Sequence, residues 1–168
     1  YEPIPHLAVW LAEQFPSVTV REAALSDQAG TASFVHVDSA PEFSGLRERD
    51  YHGVDDVRKH EITVRTERLD DVLPDGFRPN LIKIDVEGAE LLVLRGASQT
   101  LARFRPRVIF EHGAGASERY GTRPDDVHGL LVGELGMRIY DLDGTGPYSR
   151  DEFAAVFSQP IWNFLAVP

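Results

Sequence analysis

Two carboxylates stand where an apolar segment of the chain gives way to a helical pattern. Asp85 and Glu87 lie at the end of a predicted strand, Leu81–Val86, and Gly88 follows them directly. In open α/β sheets, ligands bind just beyond the carboxyl ends of the strands. A carboxylate there can take a proton from a substrate or bind a hydroxyl group. Asp85 is therefore our first candidate for a catalytic base, and Lys83, on the same strand face, would partly neutralise it.

Acidic or polar residues also end three other predicted segments, at Glu2, at Asp27 and at the pair formed by Glu111 and His112. Because the carboxyl ends of parallel strands meet at one edge, we expect these side chains to line one rim with Asp85. Glu111 and His112 are the next candidates for the base, although a histidine in this position is commonly a hydrogen-bonded structural residue. Asp85 and Glu111 could alternatively hold a divalent metal ion that acidifies a hydroxyl group.

The residues around the turn leave a second interpretation open. Acidic side chains at Glu87 and Glu90 would also interact favourably with the positive amino end of the helix, without any catalytic function. Downstream, the apolar residues repeat at helical spacing and predict one stripe that packs on the sheet. These residues are Leu91, Leu94, Ala97 and Leu101.

Strands and helices alternate along the chain, which predicts an α/β fold with a mostly parallel sheet and an antiparallel pair at its end. The predicted strands are Val18–Leu25, Thr31–Val37, Glu61–Thr66, Leu81–Val86, Arg107–Glu111, Met137–Leu142 and Trp162–Val167. The predicted helices cover His6–Phe15, a segment ending near Phe104, a segment starting around Pro124, and Asp151–Phe157. The second and third strands should form an antiparallel ribbon joined by the long polar loop Asp38–His60, a length that favours a functional role.

Length and composition predict one domain, residues 1–168, of an ordinary globular kind. No apolar run approaches the ~20 residues that span a bilayer, and no signal peptide is recognisable. The lack of cysteine excludes disulfides and thiolate metal sites, so we expect a cytoplasmic protein. A formal charge of −10 argues against nucleic acid or an anionic membrane as partner. Four histidines without metal-ligand spacing are interpreted as surface or packing residues: His6, His36, His60 and His128.

The cluster K-I-D-V-E-G-A-E at residues 83–90 resembles the signature of the FkbM-type methyltransferases. Four other segments resemble elements of that family in the same order. They are Y-E-P-I-P at 1–5, A-A-L-S-D at 23–27, R-L-D-D-V-L at 68–73 and N-F-L-A-V-P at 163–168. The resemblance covers the whole chain and implies a Rossmann-like class I methyltransferase fold with a doubly wound sheet. It also implies S-adenosylmethionine as the cofactor and methyl transfer mostly to oxygen.

The same resemblance implies roles for individual residues. Glu2 would hold the ribose of S-adenosylmethionine, and the loop at residues 24–27 would lie beside the adenine. The residues assigned to cofactor binding are Glu2, Ala24, Leu25, Ser26, Asp27, Asp85, Val86 and Glu87. The acceptor is expected to be a small molecule, such as a sugar or polyketide hydroxyl. It could be covered by loop aromatics and a histidine, for which ordinary packing is the alternative: Phe43, Tyr51, His52 and Tyr120.

One family element has no counterpart in the sequence. The family begins with a strand and a D-x-G-A-N-x-G loop that holds the methionine part of the cofactor, and no such loop occurs here. We therefore expect the amino-terminal βα unit to be absent and the sequence to be the carboxyl-terminal part of a longer protein. A non-catalytic methyltransferase-like scaffold remains the main alternative. A nicotinamide oxidoreductase ranks far behind, because the G-x-G-x-x-G motif is missing. A phosphoaspartate enzyme also ranks far behind, because its usual second acid followed by a threonine is not found after Asp85, where the sequence continues Val86-Glu87-Gly88.

Overall fold

A computed structural model of the chain describes residues 1–49, 51 and 56–168. Its strands are β1 (Ala24–Leu25), β2 (Gly30–Val37), β3 (Lys59–Glu67), β4 (Leu81–Ile84), β5 (Arg107–Glu111), β6 (Arg138–Asp141) and β7 (Asn163–Val167). Its α-helices are α1 (Pro5–Gln14), α2 (Leu69–Val72), α3 (Glu90–Gly96), α4 (Ser98–Phe104), α5 (Pro124–His128) and α6 (Arg150–Val156). Short 3-10 helices cover Pro41–Phe43 and Ser117–Tyr120, and α5 continues as a π-helix over Gly129–Glu134. Within the described ranges, no helix is long and apolar enough to cross a membrane.

The strands form two sheets rather than one. The first sheet has the order β1-β3-β2, and the second has the order β4-β5-β7-β6. Among the described strands, only the pairs β1–β3 and β4–β5 are parallel, whereas β2–β3, β5–β7 and β6–β7 are antiparallel. The α/β class is therefore confirmed, and the last strand is antiparallel as predicted. The prediction of a single, mostly parallel sheet is wrong, because no described strand joins β1 to β4.

The strand predicted at Val18–Leu25 is much shorter than expected. It is reduced to Ala24–Leu25, which pairs with the last two residues of β3, Thr66 and Glu67. A strand is stabilised by backbone hydrogen bonds to a neighbour, and among the described residues only Ala24 and Leu25 of this segment pair with β3. The residues before Ala24 do not continue this pairing, and the apolar side chain of Val18 is more than half exposed.

The antiparallel ribbon predicted beside the main sheet is present. Strands β2 and β3 pair along their whole length, from Gly30 opposite Thr66 to Val37 opposite Lys59. One face of the ribbon packs in a small apolar cluster with the start of α1, made by Ile4, Ala24, Phe34 and Val64. The ribbon therefore holds both ends of the long loop between β2 and β3.

The larger core lies against the four-stranded sheet. The predicted stripe of Leu91, Leu94, Ala97 and Leu101 is buried there, although the helix is divided into α3 and α4 at Ala97. The first turn of α4 is capped from a distance. The Asp70 carboxylate accepts hydrogen bonds from the backbone N–H groups of Gln99 and Thr100, at 3.0 and 2.8 Å. This cap satisfies two donors that the helix start leaves unpaired.

Helix α3 also contacts the loop that follows β1. The backbone of Gly96 lies so close to the loop that a β-carbon there would be 2.0 Å from the carbonyl oxygen of Ser26. Only glycine allows this approach, since backbone atoms cannot move aside as a flexible side chain can. The contact therefore joins the loop after β1, a strand of the first sheet, to the helix that packs on the second sheet.

We predict that Gly96→Ala lowers the free energy of unfolding by about 1–3 kcal/mol, because the added methyl group forces the Ser26 backbone away from α3. Urea denaturation measures the change. Gly133→Ala is the matched control, since an added β-carbon there meets no described atom within 4 Å. Equal stability of Gly96→Ala and the unmodified protein would contradict the assigned contact.

Candidate active site

The parallel pairing of β4 with β5 brings two carboxylates together. Ile84 lies opposite Phe110, so the next residues, Asp85 and Glu111, leave the sheet at the same edge. Glu87 completes the group, and one carboxylate oxygen from each of these three residues lies within 4.8 Å of the others. We call Asp85, Glu87 and Glu111 the acid cluster. The convergence predicted for Asp85 and Glu111 is therefore present.

A sharp turn places Glu87 in this cluster. Glu87 and Gly88 adopt positive φ angles of 57° and 103°, a left-handed conformation that glycine tolerates best. Gly88 also packs against Ala116, where a β-carbon would lie 2.6 Å from the backbone carbonyl group. The glycine of the K-I-D-V-E-G segment is thus required by both backbone conformation and space.

The inside of the turn is held by Glu90. One oxygen of its carboxyl group accepts hydrogen bonds from the backbone N–H groups of Val86 and Gly88, at 3.2 and 3.1 Å. The residue is 1% exposed, and this burial raises the pKa of Glu90 to about 7 although the two hydrogen bonds act in the opposite direction. Glu90 therefore positions the turn, a role beyond the helix-start interaction considered from the sequence.

Two cations offset the charge of the acid cluster. The Lys83 ammonium lies 2.7 Å from Asp85 Oδ2, and this hydrogen bond raises the pKa of Lys83. The Arg49 guanidinium forms an ion pair with Glu87. Sequence reasoning found Lys83 from the alternation of β4 but missed Arg49, which comes from the long loop between β2 and β3. The spacing of residues along the sequence does not indicate that an arginine of this loop contacts the distant turn at Glu87.

The surroundings of Glu111 change its proton affinity. Burial raises the pKa of Glu111, the nearby charge of Asp85 raises it further, and Lys83 and Arg49 oppose the shift. A raised pKa makes a carboxylate a stronger base near neutral pH. Glu111 thus has the electrostatic character expected of a proton acceptor.

His112 lies in the core rather than on the rim. It is 2% exposed, and burial lowers its pKa to about 4. Its ring stacks on Phe153 with centroids 5.4 Å apart, and its Nδ1 lies 3.2 Å from the Ser117 hydroxyl oxygen. These contacts favour the structural role, because a ring with this pKa is a weak base. A catalytic role for His112 stays a prediction.

A cavity of about 460 Å³ lies between the two sheets. Six of the residues assigned to cofactor binding line it: Glu2, Ala24, Leu25, Asp85, Val86 and Glu87. Ser26 and Asp27 do not, and the backbone N–H of Ser26 instead donates to the carbonyl oxygen of Glu67 at 2.9 Å. Cavities of this size hold small organic ligands. The structure thus brings most of the predicted set to one space, and their cofactor-binding role stays a prediction.

The loop aromatics named from the sequence contact other residues of the long loop. The Tyr120 hydroxyl accepts a hydrogen bond from the Arg47 backbone N–H at 2.9 Å, and burial raises the pKa of Tyr120 to about 12. Phe43 and Tyr51 meet edge to face with ring centroids 6.5 Å apart. His52 lies outside the described residues. The Tyr120 contact thus holds the part of the long loop that contains Arg47, and the acceptor-binding role of these aromatics stays a prediction.

Two comparisons with known proteins both find similarity to methyltransferases. The family model described as the methyltransferase FkbM domain matches residues 1–139. Among solved structures, the chain is similar to the crystal structure of methyltransferase FkbM from Methylobacillus flagellatus KT, with a TM-score of 0.50 and 16% identity. The similarity covers 98% of this chain but 32% of the other, so the chain spans about a third of that protein's length. At this identity the likeness concerns the fold alone. No curated protein gives a significant match.

The buried Glu90 predicts a pH-dependent contribution to stability. Its pKa of about 7 in the folded protein exceeds its ordinary 4.5, so its contribution is complete below pH 4.5 and is lost as the pH rises through 7. Glu90→Gln removes this titration. Relative to the unmodified protein, the variant should gain on the order of 3 kcal/mol in free energy of unfolding between pH 4.5 and 8. Urea denaturation across this range measures the difference, and parallel pH profiles would contradict the prediction.

Proposed function

The chain belongs to the FkbM methyltransferase family, and from this premise we propose that it takes part in methyl transfer from S-adenosylmethionine to a hydroxyl group of a small molecule. The observation that carries the proposal is the position of Asp85. It belongs to the acid cluster and also lines the cavity between the sheets. A proton acceptor and a space for a small ligand thus meet at the carboxyl end of β4, where α/β sheets commonly bind ligands.

The cavity suits the nucleoside part of the cofactor. Glu2 lines it, and one of its oxygens, Oε1, accepts a hydrogen bond from the backbone N–H of Ile4 at 2.8 Å. Oε2 has no described donor and can accept hydrogen bonds from a ribose diol. Apolar side chains next to Glu2 offer contacts for an adenine ring: Ala24, Leu25, Ile82 and Ile84. These residues fit the ribose and adenine, and S-adenosylmethionine would supply the electrophilic methyl group when bound there.

The acid cluster would then remove the acceptor proton. Methyl transfer to oxygen requires the hydroxyl oxygen, the methyl carbon and the sulfur to be in line, and positioning can supply roughly 7–11 kcal/mol of the barrier. We assign Asp85 as the base, because it faces the cavity while Lys83 holds its carboxylate in place. Glu111 is the second candidate, since its raised pKa allows it to share the proton with Asp85.

The same oxygens support an alternative in which a divalent cation acidifies the hydroxyl group. Three carboxylates within 4.8 Å are suitable ligands for a hard cation. Arg49 already pairs with Glu87, however, so a cation would have to share the cluster with a guanidinium group. We therefore retain the proton-transfer route as the proposal.

Cofactor binding can be tested without knowing the acceptor. We expect the purified protein to bind S-adenosylhomocysteine in a calorimetric titration, and Glu2→Gln to weaken binding by about 10- to 100-fold through loss of the charged ribose contact. Glu13→Gln, which changes an exposed acid on α1, is the matched control and should bind like the unmodified protein. The same titration is made with the chain extended upstream by its native reading frame, and absence of binding by both folded proteins would contradict the enzyme proposal and favour the scaffold.

The base assignment is tested by Asp85→Asn. We expect it to lower kcat for the best acceptor in a panel of sugar and polyketide alcohols by roughly 10²- to 10⁴-fold, the usual contribution of a positioned base. Transfer of a radiolabelled methyl group measures this rate, and calorimetry should show that cofactor affinity changes much less. Asp143→Asn, an exposed acid beyond β6, is the control. Unchanged turnover in Asp85→Asn would move the role to Glu111.

A further inference from the structure

Two histidines and an aspartate meet on the ribbon, away from the acid cluster. His36 on β2 lies directly opposite His60 on β3, and Asp38 follows His36 by two residues, on the same face. One ligand atom from each of these three residues lies within 4.8 Å of the other two. We call His36, Asp38 and His60 the histidine cluster. The sequence interpretation of His36 and His60 as surface or packing residues missed this arrangement. The two histidines become neighbours only through the pairing of β2 with β3, which the sequence spacing does not show.

The distances within the histidine cluster match those between ligands of one metal ion. Asp38 Oδ2 lies 3.1 Å from His60 Nδ1, and Asp38 Oδ1 lies 3.6 Å from His36 Nδ1. In a tetrahedral zinc site with ligands at about 2.1 Å, neighbouring ligand atoms are ~3.4 Å apart. Small side-chain adjustments would therefore bring the three groups around one ion.

His36 is the buried member of the histidine cluster. The residue is 7% exposed, and its Nε2 is buried without a hydrogen-bond partner among the described residues. Its Nδ1 lies 3.6 Å from the nearest Asp38 oxygen, beyond hydrogen-bond distance. Coordination through Nδ1 would use the nitrogen nearest Asp38, and the ring would then carry its proton on Nε2.

Access and ligand chemistry indicate which ion is suitable. The side chains of Asp38 and His60 are 43% and 52% exposed, so an ion can enter from solvent. Two imidazole nitrogens and one carboxylate oxygen suit zinc or a similar transition-metal ion better than magnesium or calcium, which prefer oxygen ligands. The ring of His6 lies 5.5 Å from that of His36, centroid to centroid, and borders the site on its α1 side.

We propose that His36, Asp38 and His60 form a binding site for a divalent transition-metal ion of the zinc type. Asp38 and His60 stand at opposite ends of the long loop, just after β2 and near the start of β3. An ion held between them would tie the two ends of this loop together. Because Arg49 of the same loop pairs with Glu87, the ion would stabilise the loop conformation that reaches the acid cluster.

The test is calorimetric titration of Zn²⁺ into the purified protein at neutral pH, with cobalt absorption as a second readout. We expect one high-affinity site, and intense visible bands on Co²⁺ addition that indicate four-coordinate nitrogen and oxygen ligation. His60→Asn should lower zinc affinity at least ~10-fold and remove these bands. Because His60 is half exposed, this variant is expected to fold, which circular dichroism verifies.

Two controls identify the site. His128→Asn removes a histidine outside the cluster and should retain zinc affinity and the cobalt spectrum. Glu111→Gln disrupts the acid cluster, where a cation could bind instead, and should also retain both. Zinc binding that survives His60→Asn but is lost in Glu111→Gln would overturn the proposal, as would the absence of binding to the folded unmodified protein. Neither result depends on the methyl-transfer activity proposed above.

Discussion

The register between β4 and β5 determines where chemistry can take place in this fold. Ile84 and Phe110 lie opposite each other and are both buried in the larger core. A slip of one residue would turn buried side chains toward solvent, so the core fixes the pairing. As a consequence, Asp85 and Glu111 must leave the sheet side by side. The acid cluster thus depends on hydrophobic packing one residue away, rather than on any attraction between its own members.

Three carboxylates within 4.8 Å repel one another, and the protein offsets this repulsion from two directions. Lys83 acts from the strand itself, at a position that the alternation of β4 fixes. Arg49 acts from the long loop, whose position is set by the ribbon of β2 and β3. The loop conformation and the charge of the cluster are therefore coupled. A change that moves the loop also changes the proton affinity of Glu111, which Arg49 lowers.

Local periodicity predicted much of the fold, and contacts between distant segments explain what it could not. The helical stripe from Leu91 to Leu101 and the turn at Gly88 are properties of short segments, and both are present. The extent of β1 depends on a partner strand, so the strand predicted from Val18 was too long. Arg49 and the pairing of His36 with His60 depend on how β2 and β3 come together. No spacing along the sequence records that register.

The charge of the acid cluster constrains how it would contribute to methyl transfer. Three carboxylates against Lys83 and Arg49 leave one formal negative charge, which attracts a sulfonium cation. During methyl transfer the positive charge of a sulfonium disperses, so this attraction would stabilise a bound cofactor at least as much as the transition state. Binding both states equally raises affinity without raising kcat. In the proposed reaction the rate would therefore come from alignment and from proton removal by Asp85, and the raised pKa of Glu111 would let this second carboxylate share the proton.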